Sequence, residues 1–110
     1  MNVKELAEKA NLNLFSGAAG LDRLVTGGYS SDLLSDVMGY ASEGQVWITL
    51  QKHRNIMAVA SLKDLAAIIL VKGFEPEPDV LELSEKEGIP VLGTQKQAFE
   101  ISGEIFNLIK

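Results

Sequence analysis

Residues 55–71, NIMAVASLKDLAAIILV, constrain the fold more than any other stretch. The run is too long for one strand, since strands in globular proteins usually hold ~5–6 residues. It must divide into two elements. One division gives a helix from about Asn55 to Asp64 and a strand from Ala67 to Val71. Ser61 and Asp64 also look like a capping pair, which would instead make residues 56–60 a strand and start a helix at Ser61. Upstream, Val46-Trp47-Ile48-Thr49-Leu50 is rich in β-formers and reads as a buried strand, with Trp47 in the core. Downstream, KGFEPEPD at 72–79 is a Gly/Pro loop. A helix follows at about 79–87, with Gly88 as its stop, and Pro90-Val91-Leu92 reads as another strand. Strands that alternate with helices call for crossover connections, and crossovers give parallel strands.

The first quarter is different. Val3, Leu6, Ala7 and Ala10 mark a helix over 2–10, with Asn2 and Glu5 as a capping pair. Leu12–Phe15 and Leu21–Val25 are expected as two short strands around the Gly17–Gly20 punctuation. The expected fold class is therefore α/β: a single small domain, residues 1–110, with a mixed, mostly parallel sheet flanked by helices. Thr26-Gly27-Gly28 reads as a turn into a helix over 31–41. Ser30 or Ser31 would cap that helix, Asp32 would sit in its first turn, and Leu33, Leu34, Val37, Met38 and Ala41 would form its apolar stripe. At the C-terminus, Thr94 and Gln97 form a capping pair. Ala98, Phe99, Ser102, Ile105, Phe106 and Ile109 line one face of the last helix.

Composition narrows the chemistry. The chain has no cysteine, which excludes disulfides, thiolate metal sites and cysteine nucleophiles. A net charge of −5 lacks the basic footprint of a nucleic-acid or anionic-membrane binder. No apolar run reaches the ~18 residues of a membrane span. MNVKELAEKA has no apolar core of a secretory signal, so a cytoplasmic location is expected.

In an open α/β sheet, ligands bind beyond the carboxyl ends of the strands. Four stretches qualify: Thr26–Ser30, Gln51–Asn55, Lys72–Phe74 and Gly93–Gln95. Their hydroxyls, amides and cations suit a phosphate or carboxylate. The candidate ligand-binding residues are Thr26, Gly27, Gly28, Ser30, Ser31, His53, Arg54, Asn55 and Thr94. Glycines admit a ligand close to the backbone, and a following helix offers free N–H groups to an anion. Turn chemistry alone also accounts for Gly27-Gly28. His53 is the only histidine. With no carboxylate beside it in sequence, it reads as an exposed loop residue next to Arg54. Arg54 is either a phosphate clamp or a solvated side chain. The carboxylates of Glu75–Glu87 read as a solvated surface. No serine lies in G-x-S-x-G, and G-x-x-x-x-G-K-S/T is absent. No catalytic residue, metal site or cofactor is expected.

The segment LNLFSGAAGLDRLVTGGYSSDLLSDVM resembles the start of the DRTGG domain family, with Asp22, Arg23, Thr26, Gly27 and Gly28 in place. Leu24-Val25 separates the two halves of that signature. VKGFEPEPDVLELSEKEGIPVLGTQKQAFEISGEI is similar to the N-terminal domain of HPr kinase/phosphorylase. The resemblance implies a small α/β module found attached to larger proteins, among them phosphotransacetylases and CBS-containing pyrophosphatases. It implies a regulatory or oligomerising role, without the kinase chemistry of the separate P-loop domain. A homodimer is expected, with a small anionic ligand or a partner enzyme; the alternative is a purely structural subunit with no ligand.

Overall fold

A computed structural model describes residues 1–110. In chain order the elements are α1 (Val3–Lys9), β1 (Asn13–Ser16), a 3-10 turn (Ala18–Gly20), β2 (Gly27–Ser30) and α2 (Leu34–Tyr40). There follow β3 (Gln45–Thr49), α3 (Asn55–Lys63), β4 (Ala67–Leu70), α4 (Pro78–Glu87), β5 (Val91–Gly93) and α5 (Ala98–Ile109). The five strands form one sheet in the order β1-β5-β4-β3-β2. Strands β2 to β5 run parallel, and β1 pairs antiparallel with β5. The expected class, α/β with a mixed, mostly parallel sheet, is the one observed.

Strand β4 is buried at every position, and β3 at every position after Gln45. A strand covered on both faces reads as a continuous apolar run, not an alternation. Trp47, Ile68, Leu70 and Val91 face a layer made by α2, α3 and α4. Val46, Ile48, Ala67, Ile69 and Leu92 face α1 and α5. The 55–71 run divides as helix then strand. Ile56, Met57 and Ala60 fall on one side of α3 and are buried, while Ser61 is exposed. Asp64 ends the helix in the left-handed region at φ 52°, which short polar side chains tolerate better than most. At α1, Asn2 Oδ1 accepts from Glu5 N at 2.9 Å and Glu5 Oε1 accepts from Asn2 N at 3.1 Å, the expected reciprocal cap.

Four local expectations are corrected. Leu21–Val25 is not a strand; only Leu24 makes an isolated bridge, to Asn2. The pairing falls instead on Gly27–Ser30, so Gly27-Gly28 lies inside a strand and turns nothing. The reversal between α2 and β3 uses Gly44, at φ +81°. Helix α2 starts only at Leu34 and has no side-chain cap. Ser30 is in β2, and Ser31 Oγ instead accepts from Leu33 N at 3.2 Å. Asp32 precedes that helix, and of the expected stripe Leu33 and Met38 are exposed while Val37 and Ala41 are buried and Leu34 packs against them. Finally, α5 is capped by Gln97 with Glu100, not by Thr94. Its buried residues are Ile101 and Ile105, while Phe99 and Phe106 point outward. Apolar residues cover about half the circumference of α5, a wider arc than the sheet buries, and the sheet takes the part that holds Ile101 and Ile105.

One glycine is fixed by packing. A Cβ at Gly93 would overlap the ring of Phe15, which crosses β5 at that point. Gly93→Ala is expected to lower stability by about 1–3 kcal/mol through overpacking, read from the urea midpoint.

Candidate functional site

Helices that connect parallel strands run back against them, so their C-termini gather at the amino edge of the sheet. The first signature residues sit there. Arg23 Nε donates to the carbonyl of Gly88, the C-cap of α4, at 2.9 Å, and its Nη1 reaches Asp64 Oδ1, the C-cap of α3, at 3.2 Å. A cation against two helix C-termini meets partial negative charge at both. Thr26 Oγ1 donates to Glu43 O at 2.9 Å, and Thr26 N donates to Gly44 O at 2.9 Å. Arg23 and Thr26 thus brace the amino edge, away from the carboxyl edge where ligands bind in such folds.

At the carboxyl edge, the exits of β2 and β3 are stitched together. Trp47 Nε1 donates to Ser31 O at 2.8 Å. Asp32 Oδ1 accepts from Thr49 Oγ1 at 2.8 Å and from Leu50 N at 2.9 Å. The Asp32 carboxylate is therefore occupied, and its charge disfavours an anion beside it. Tyr29, on β2, donates to Asp36 Oδ2 at 2.8 Å. That bond, then desolvation and the Asp36 charge, raise the phenol pKa above its ordinary 10.0.

The remaining candidate residues separate. His53 Nδ1 lies 2.9 Å from Glu77 Oε2, a carboxylate adjacent in space and not in sequence. Arg54 and Asn55 line a groove of about 490 Å³ between α3 and α4. Gly28 and Ser30 line a smaller groove against α5, where Ser30 Oγ and Ser102 Oγ are 2.7 Å apart. Thr94 lines a polar concavity of about 320 Å³ beyond the ends of β4 and β5. The nine candidates therefore do not converge. The structure joins Arg54 with Asn55, and Gly28 with Ser30.

The concavity at Thr94 has the most recognition chemistry, and of its residues only Thr94 is among the candidates named individually from the sequence. Asn11, Asn13 and Gln95 offer carboxamides, and Phe15 and Phe74 offer rings. Lys52 Nζ stands 5.7 Å from the Phe74 ring centroid. The lip is held by Gly73 N donating to Thr94 O at 2.9 Å and Lys72 N to Lys96 O at 2.9 Å. Lys72 has φ 61°, a conformation uncommon for residues with side chains, whereas Asn11, at φ 57°, ends α1 in the usual left-handed way. Two of the carboxyl-edge stretches named from the sequence, Lys72–Phe74 and Gly93–Gln95, meet here, while Asn11, Asn13 and Phe15 had no such signal.

Two outcomes follow. Arg23→Ala removes two contacts at helix C-termini and is expected to cost about 1 kcal/mol, seen as a lower denaturation midpoint with an unchanged slope. For Tyr29, the folded pKa is raised, so its contribution is full below the unfolded value of about 10 and is lost as pH rises through the folded value. Ultraviolet titration should show a late phenolate component that Tyr29→Phe abolishes, and the two proteins should converge in stability at strongly alkaline pH.

Comparison with known proteins agrees with the fold. The sequence model of the DRTGG domain matches residues 5–108. HPr kinase/phosphorylase of Geobacillus sp. (strain WCH70) is 27% identical over 128 aligned residues, which cover 100% of this chain and 40% of that protein. A similar solved structure holds the CBS and DRTGG domains of the regulatory region of Clostridium perfringens pyrophosphatase, complexed with its activator diadenosine tetraphosphate. It matches with a TM-score of 0.69 and 16% identity, over 96% of this chain and 46% of that one. The chain spans less than half the length of both. At that identity the structural likeness shows the fold alone, but the sequence match spans nearly every residue, and the chain belongs to the DRTGG domain family.

Proposed function

We propose that this chain is a non-catalytic regulatory module that binds a small anionic ligand, phosphate- or nucleotide-like, and acts as a homodimer or with a partner enzyme. The observation that carries this reading is the DRTGG match over nearly the whole chain, together with a solved relative that is part of a regulatory region bound to an activator. The kinase name of the other relative does not transfer, because the chain covers only 40% of it and contains no P-loop sequence.

The polar concavity is the best place for such a ligand. Carboxamides such as those of Asn11, Asn13 and Gln95 recognise the hydrogen-bonding edge of a base. Phe74 offers a stacking face, and Lys52 and Lys72 border the same loop and suit phosphate. His53 and Arg54 lie on the neighbouring loop along this edge, and Asn55 begins α3 there. A ligand-free structural subunit is the second reading. It is favoured by the Asp32 and Glu75 carboxylates at that edge and by the net charge of −5.

A thermal-shift screen against nucleotides, phosphorylated metabolites and acyl phosphates separates the two. A true ligand at 100 times its dissociation constant adds about 2.7 kcal/mol of stability. That gain should fall in Gln95→Ala and Lys72→Ala, and ATP should not be turned over. If no compound raises the melting temperature, the ligand-free reading stands.

A further inference from the structure

The strand order leaves the outer edge of β2 unpaired, and its residues are Gly27-Gly28-Tyr29-Ser30. They include neither charge nor proline, two devices that protect an edge from pairing. The opposite edge strand, β1, is interrupted by a register shift between Leu14 and Ser16. The fold itself does not require the two glycines. Neither has positive φ, and a Cβ would meet nothing nearer than 3.6 Å at Gly27 or 3.7 Å at Gly28. Glycine inside a strand weakens it and often marks the close approach of a ligand or another backbone.

Helix α5 borders this edge, as the Ser30–Ser102 contact shows. Phe99 and Phe106 lie on the same helical stripe as Ser102, at i−3 and i+4, and are 91% and 66% exposed. Gly103, between them, has open space where a Cβ would stand. A groove of about 190 Å³ runs along the stripe, with Gly28 and Ser30 on one side and Ile105, Phe106 and Ile109 on the other.

We propose that this edge and stripe form the contact between two copies of the chain, with their β2 strands antiparallel about a two-fold axis. The inference rests on the homodimer reading and assigns its surface. A two-fold axis perpendicular to the sheet keeps both α5 helices on the same face of a now continuous ten-strand sheet. Each Phe99–Phe106 stripe then meets its counterpart, as an isologous contact requires. A stable pair buries about 800 Å² per partner. The two rings offer about 300 Å² of this, at ~200 Å² for a fully buried ring. The open backbone edge of β2 and the groove beside α5 add to it. Gly27–Ser30, Phe99, Ser102 and Phe106 carry no charge, and the only charge on the stripe is Lys110 at its end, so two copies of an acidic chain can meet there without opposing carboxylates.

The test is sedimentation equilibrium of the full chain from micromolar to millimolar concentration, with circular dichroism to confirm folding. Phe106→Asp places a carboxylate on the stripe, and Gly28→Val fills the groove while favouring the strand. Tyr40→Ser, 74% exposed on α2 in the opposite layer, is the control. The wild type and Tyr40→Ser are expected to dimerise. The other two should fold normally and dimerise at least about 30-fold more weakly, as for a residue central to binding. A dimeric wild type with both variants equally dimeric, or one disrupted by Tyr40→Ser, overturns the assigned surface and leaves the homodimer standing. A wild type that stays monomeric throughout overturns both.

Discussion

Burial of β3 and β4 on both faces is the constraint on which the rest depends. Neither strand can be satisfied by one layer of helices, so the chain must lay helices on both sides of the sheet. That demand sets α2–α4 against α1 and α5. It also fixes the direction of every crossover, and so gathers helix C-termini at one sheet edge and helix N-termini at the other. Trp47 makes the arrangement specific. Its ring fills the α2–α4 side, and its only polar atom is bonded to Ser31 O, so the exit of β2 is tied to the core.

How much of this was legible in the sequence varies with the kind of signal. The central strands, α3, α4 and the α1 cap were readable because burial on both faces, a Gly stop and a reciprocal Asn–Glu cap each leave a local mark. The strand at Gly27–Ser30 was not. Glycine is depleted from strands, and these two are paired only with β3, so a local reading finds a turn. The outward face of α5 failed for the opposite reason: Phe99, Ile101, Ile105 and Phe106 give two competing stripes, and only the sheet chooses. How the candidate residues group in space was the least legible. His53 was paired by a glutamate twenty-odd positions away, and the concavity at Thr94 draws on β1, the β4–α4 loop and the β5–α5 loop, which no spacing connects.

The signature residues divide by purpose. Arg23 and Thr26 bond to backbone carbonyls at turns and helix ends and account for themselves as structure. Gly27 and Gly28 do not, since the fold has room for side chains at both. A sequence signature can thus join residues that act for unrelated reasons merely because the chain passes through both places in succession.

Arg23 has one more consequence. Its carbonyl accepts from Val3 N at 3.0 Å, at the start of α1, while its guanidinium grips the ends of α3 and α4. Helix α1 lies on one side of the sheet and α3 and α4 on the other. A single residue therefore works as a mechanical linkage around the rim. A pull on the first residues of the chain reaches the opposite layer directly, without first passing through the strands.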